Sequence, residues 1–128
     1  MFSHVTIGTD DFERAWAFYD ALPRPLGLGR IGRHGDAVGY AATPDASPQL
    51  WVTRPFDRAP ASPGNGDMVA FQAPDRPTVR LLHKIALEGG GRCEGPPGLR
   101  PHYHPDYYGA YMRDLDGNKL CVCCHAPE

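Results

Sequence analysis

The sequence predicts an α+β domain assembled from two similar halves. Three observations carry that prediction. A strand-then-helix start occurs twice, at His4 and again at Met68, 64 residues later and half of the 128-residue chain. Short strand candidates follow each helix. The last two of them flank Asp114-Leu115-Asp116-Gly117-Asn118, whose Asp-Gly and Gly-Asn steps are tight-turn chemistry.

In the first half, His4-Val5-Thr6-Ile7-Gly8 alternates and is β-branched, the pattern of a half-buried strand. Asp10 is expected to cap the helix that follows, with Glu13 completing a capping box. Phe12, Ala15, Trp16, Tyr19 and Leu22 recur at helical spacing and form an apolar stripe, which Pro23, Pro25 and Gly27 end. Strands are expected over 35–41 and 49–53. The Pro- and Gly-rich stretch from Arg54 to Asp67 reads as the linker, dividing one domain of residues 1–128 into modules of about 1–55 and about 67–128 around a linker of about 56–66.

The second half opens with a strand over 67–72. Asp75 caps the next helix, and Pro77 falls in its first turn, where a missing N–H costs nothing. Val79, Leu82 and Ala86 make its apolar stripe, broadened by Leu81 and Ile85, and Gly89-Gly90-Gly91 stops it. Strands are expected over 92–94, 110–113 and 119–123, the last two joined as a hairpin.

Composition narrows the function classes. A hydrophobic content of 41% suits a folded globule, and a net charge of −2 with no basic run excludes an electrostatic case for nucleic acid. No long apolar stretch or basic leader stands at the N-terminus, so neither a membrane span nor a signal peptide is read. A cytoplasmic protein with reduced thiols is the expectation. Three of the four cysteines crowd into Cys121-Val122-Cys123-Cys124, and neighbours along a strand are badly placed to form a disulfide.

The strand beginning at His4, the helix ending in Phe18-Tyr19 and the closing Arg113-Asp114-Leu115-Asp116-Gly117-Asn118 hairpin together resemble the vicinal oxygen chelate superfamily. Val69-Ala70-Phe71 resembles the strand that opens that family's second module. The resemblance covers nearly the whole chain. It implies the glyoxalase/bleomycin resistance/dihydroxybiphenyl dioxygenase-like fold, two βαβββ modules forming an open barrel around a small-molecule cavity. It also implies a homodimer and, in the enzymes of the family, a divalent metal that stabilises negative charge on two vicinal oxygens.

The family's metal ligands come from the first and fourth strands of each module, on the face turned away from the helix. Strand alternation turns Val5, Ile7, Leu50, Val52, Val69, Phe71, Leu120 and Val122 toward the helices. The corresponding ligand positions are therefore His4, Trp51, Met68 and Cys121. Only His4 and Cys121 can ligate a borderline metal, so the resemblance implies an incomplete site there. Glyoxalase chemistry also needs a carboxylate base, and extradiol cleavage needs two histidines and a carboxylate on iron. Neither set is present at these positions.

The densest polar chemistry lies in Pro97-Gly98-Leu99-Arg100-Pro101-His102-Tyr103-His104-Pro105-Asp106-Tyr107-Tyr108. Arg100 suits a carboxylate, His102 and His104 can exchange protons near neutrality, and Tyr108 can bind a polar edge. Trp51, Met68 and Tyr111 would give the cavity an aromatic, soft lining for a flat or amphipathic molecule. His34 and His83 are expected at the surface. Two functions fit these residues: a glyoxalase-like lyase or dioxygenase-like enzyme with an altered metal site, and a non-catalytic protein that sequesters a small molecule.

Overall fold

A computed structural model describes all residues from Met1 to Glu128. Its elements run β1 (His4–Gly8), α1 (Phe12–Ala21), a 3-10 turn (Arg24–Leu26), β2 (Gly29–His34), β3 (Ala37–Ala41) and β4 (Gln49–Thr53). The second half runs β5 (Val69–Gln72), α2 (Arg76–Glu88), β6 (Arg92–Leu99), β7 (Tyr108–Arg113) and β8 (Lys119–Cys124). Strand order is β1-β4-β3-β2 in one sheet and β5-β8-β7-β6 in the other, so each half is the same βαβββ module. The parallel pairs β1–β4 and β5–β8 follow from returning the last strand beside the first. No strand pair joins the sheets, which makes the arrangement open and curved. No helix is long and apolar enough to cross a membrane.

The predicted alternation decides which face is buried. Ile7, Leu50, Val52, Phe71, Leu120 and Val122 join Ala15, Trp16, Phe18, Tyr19, Leu22, Val79, Leu82 and Ala86 in one core that draws on both modules. His4, Thr6, Ala70 and Gln72, on the opposite face, are exposed. Burying a large apolar side chain of this kind stabilises by about 1.5–3 kcal/mol.

Several expectations are corrected. Asp11, not Asp10, caps α1, accepting the Arg14 N–H at 3.1 Å. Asp10 instead accepts the Ala61 N–H at 2.6 Å, holding the linker. Asp75 does cap α2, accepting the Thr78 N–H at 2.8 Å. β2 was not foreseen: Gly29-Arg30-Ile31-Gly32-Arg33-His34 lacks apolar alternation because it is an exposed edge strand. Its antiparallel register with β3 and the two-pronged Arg30–Asp20 pair at 2.7 and 2.8 Å hold it. β3 begins only at Ala37, since Gly35 takes a left-handed turn conformation at φ 58°. β6 continues through Pro96 and Pro97 to Leu99, which an edge strand tolerates because those residues need no N–H partner. Leu81 lies exposed instead of widening the α2 stripe, whereas His83 is buried, with Nε2 3.3 Å from Cys93 Sγ.

The closing hairpin forms as expected, with Arg113 opposite Lys119 and Gly117 at φ 89°. It also clasps the two modules. Buried Asp114 accepts the Tyr19 hydroxyl at 2.6 Å and the Asp116 and Asn118 amides at 3.0 and 2.8 Å. Asn118 Nδ2 donates to the Gly8 carbonyl at 2.9 Å, and the Asp10 N–H donates to Asp116 at 3.0 Å. Burial first, then the Asp114 charge, pushes the Tyr19 hydroxyl well above its ordinary range, so it stays a donor.

Candidate functional site

The face of each sheet turned away from its helix carries aromatic plates lying on glycines. On β3, a Cβ at Gly39 would fall 2.6 Å from the Trp51 indole, so only glycine lets that ring lie flat across its neighbour strand. Trp51 Nε1 donates to Gln49 Oε1 at 3.0 Å, and the His34 ring sits 5.4 Å away. A cavity of about 570 Å³ beside them is lined by Thr6, His34, Asp36, Arg54 and Phe56, among others. Its cations are partly neutralised, since Arg58 Nη1 donates to Asp36 at 2.5 Å and Arg54 lies 3.8 Å from it.

In the second module, Tyr111 on β7 lies over Gly95 on β6, where an added Cβ would meet the ring at 3.0 Å. The Arg100 guanidinium and the Lys119 ammonium each stand 5.5 Å from the Tyr111 ring. His102 and Tyr103 pack at 4.2 Å, and these residues line a cavity of about 270 Å³. Glu94, on its rim, is already paired with Arg113 at 2.9 Å, and that guanidinium holds its carboxyl below the usual range. Arg100 donates only to the carbonyls of Leu99 and Pro96, and Lys119 has no carboxylate partner. The pocket is aromatic, with two cations that have no carboxylate partner.

Behind this pocket, Tyr107 lies over Gly109, and its hydroxyl is 3.2 Å from the Tyr111 hydroxyl and 3.6 Å from Cys121 Sγ. Burial pushes the Tyr107 phenol far above its ordinary value, so it remains protonated. Cys121 and Cys123 share the face with it. The neighbouring Cys121 thiol, helped by His125 and opposed by burial, holds Cys123 below the ordinary thiol range. The nearness of Cys123, together with burial, pushes Cys121 up. His125 Nε2 is 3.6 Å from Cys123 Sγ, its Nδ1 is 2.8 Å from His104 Nε2, and the two rings stack at 5.1 Å.

The sequence-derived candidates thus separate into groups. Arg100, His102 and Tyr111 meet in one cavity, and His104 stands behind it. Tyr108 does not join them: it turns to the helix side, with Arg76 and Arg80 over its ring. One residue earlier, Tyr107 occupies the open face instead. Trp51 belongs to the other module. Met68 precedes β5, is exposed, and borders a cleft of about 170 Å³ between the β1 and β5 edges with Thr6 and Asn118. His125 and Tyr107 were missed as candidates, the first because it follows the last strand and the second because Tyr108 drew the same argument.

The donor set does not fit a chelated divalent metal. His4 is opposite Gln49 across the β1–β4 pair, and its Nδ1 bonds the neighbouring Ser3 hydroxyl at 2.5 Å. Cys121 is opposite Ala70 and fully enclosed. No three His, Cys, Asp or Glu side chains converge anywhere as a ligand set.

Paired βαβββ modules with open, curved sheets define the class of fold. The family model of the Glyoxalase/Bleomycin resistance protein/Dioxygenase superfamily matches residues 1–122, and the chain belongs to that family. The crystal structure of a glyoxalase/bleomycin resistance protein from Albidiferax ferrireducens is similar at 36% identity and TM-score 0.85, covering 98% of this chain and 99% of that one. A glyoxalase-related enzyme from Fulvimarina pelagi shares the fold at 20% identity and TM-score 0.75, covering 97% and 87%. Lactoylglutathione lyase from Agrobacterium tumefaciens does so at 20% identity and TM-score 0.67, covering 97% and 92%. No curated protein matches the chain.

Proposed function

We propose that this chain binds a compact, flat, anionic small molecule on the open face of its second module, without a metal chelated by the family's four strand positions. The observation that carries the reading is Tyr111, flanked at 5.5 Å by the Arg100 and Lys119 cations in a cavity with His102 and Tyr103. Aromatic faces pack a planar ring, and two cations without carboxylate partners attract its acidic group. A homodimer fits the same reading, because Phe56, Met68 and Leu99 are large apolar side chains left exposed on the single chain.

The test uses anilinonaphthalene sulfonate, a flat aromatic anion, beside its uncharged analogue phenylnaphthylamine. Saturable fluorescence enhancement by the anion is expected, weakened about tenfold by Arg100→Gln, the size of one lost charge-assisted contact. Sedimentation of the same samples reads the assembly. Equal affinity for the neutral analogue, or indifference to Arg100→Gln, would sink the anion-site reading.

A further inference from the structure

The arrangement behind the pocket does something anion binding does not need. Asp106 N–H donates to His104 Nδ1 at 3.2 Å, so that nitrogen is an acceptor and the ring's proton sits on Nε2. His104 Nε2–H then donates to His125 Nδ1 at 2.8 Å. That leaves the His125 proton on Nε2, which faces Cys123 Sγ at 3.6 Å. Three hydrogen bonds in line, each fixing the tautomer of the next, present one N–H donor to one sulfur.

We propose that Cys123 is a nucleophile for soft electrophiles of the α,β-unsaturated carbonyl class, oriented and hydrogen-bonded by the Asp106–His104–His125 relay. The sulfur reacts as thiolate, its proton having gone to solvent. Its electron pair forms a C–S bond at the β-carbon, the C=C π pair moves onto the carbonyl oxygen as an enolate, and a proton from water restores the carbonyl. No oxidant or metal enters this balance. The products are a thioether and nothing else.

Among the three cysteines of β8, exposure favours the same one. Cys123 retains 6% exposure, while Cys121 and Cys124 have none. Cys124 lies on the helix side in the core, and Cys121 lies under the Tyr107 hydroxyl. Gly109, opposite Cys123 on β7, gives the Tyr107 ring room to lie beside the cysteine, since a Cβ there would meet that ring at 2.8 Å. Cys93 is exposed on the other side of the sheet, against His83, and serves as an internal comparison.

N-ethylmaleimide is the probe, at less than one equivalent, with the adduct located by fragmentation of the peptide 120–128. In native protein the adduct is expected on Cys123 and not on Cys121 or Cys124. His125→Gln should slow Cys123 labelling about fivefold, the net of a smaller thiolate fraction and a more basic sulfur, and leave Cys93 labelling unchanged. His104→Gln should slow it less, because the His125 ring remains but loses its orienting bond. Should His125→Gln fail to fold by circular dichroism, the His104→Gln rate decides alone. An unlabelled Cys123 in the native protein, or a Cys123 rate indifferent to the histidine changes, overturns the proposal. Either result leaves the anion titration untouched, so the two readings fail separately.

Discussion

The two modules share a backbone and differ in where they put bulk. On β3 and β4 the cross-strand pair is Gly39 with Trp51; at the equivalent place on β7 and β8 it is Tyr111 with Cys121. The large and small partners have changed strands. Each pair fills a similar space, so both sheets keep the same register, but the exchange leaves different chemistry on the fourth strand. In the first module that strand presents an indole and Thr53, neither of them a nucleophile. In the second it presents two thiols, with Tyr107 and His125 beside them. Cross-strand volume is conserved while reactivity is free to vary, and that is how one architecture can carry an inert face and a reactive one.

The comparison can be broken most forcefully at Gly39. Gly39→Val drives a Cβ into the indole and should destabilise by about 1–3 kcal/mol, the range for overpacking a filled site. Adding Trp51→Ala should return part of that loss, giving a non-additive cycle in urea denaturation. If the single and double variants simply add, the close approach is not what requires glycine. A smaller effect is expected from Tyr107→Phe, which removes the hydroxyl contacts to Tyr111 and Cys121 and should cost about 1 kcal/mol in the same assay. An unchanged midpoint would mean water replaces both contacts.

The smallest effect concerns acid. His83 lies on α2, and burial lowers its pKa, so the unfolded chain binds its proton more readily than the folded one. Its contribution is fully present above the unfolded value of about 6.5 and is lost as pH falls toward the lower folded value. Melting temperature should therefore decline below that pH, and less so in His83→Gln. Since α1 carries no histidine, an equal decline in the variant would move the acid sensitivity elsewhere.

Fold legibility followed burial. The elements with one buried face, β1, β4, β5, β8 and both helices, announced themselves by alternation or helical spacing. β2 gave no sign because its residues are exposed and its order comes from Asp20 and β3, which are distant in sequence. The helix cap slipped by one residue because Asp10 and Asp11 are chemically equal, and only the contact with Ala61 separates their roles. At the site, Arg100 and His102 were named from one loop and Tyr111 from a strand, and the fold brings the three into one cavity. The His104–His125 bond was not, since it joins residues 21 apart that no periodicity relates. The Tyr107–Tyr108 choice likewise depended on where β7 begins.

The clasp at the closing hairpin bears on how the chain acquires its structure in time. Its bonds join Tyr19 to Asp114, Asp10 to Asp116 and Gly8 to Asn118, across 95, 106 and 110 residues. Contacts at such separation pay the loop-closure entropy of almost the entire chain, so they form only after each half has gathered its nearer contacts. Asp114 therefore belongs to the docking of two preformed halves, late on the folding route. Weakening it should hasten unfolding far more than it slows folding.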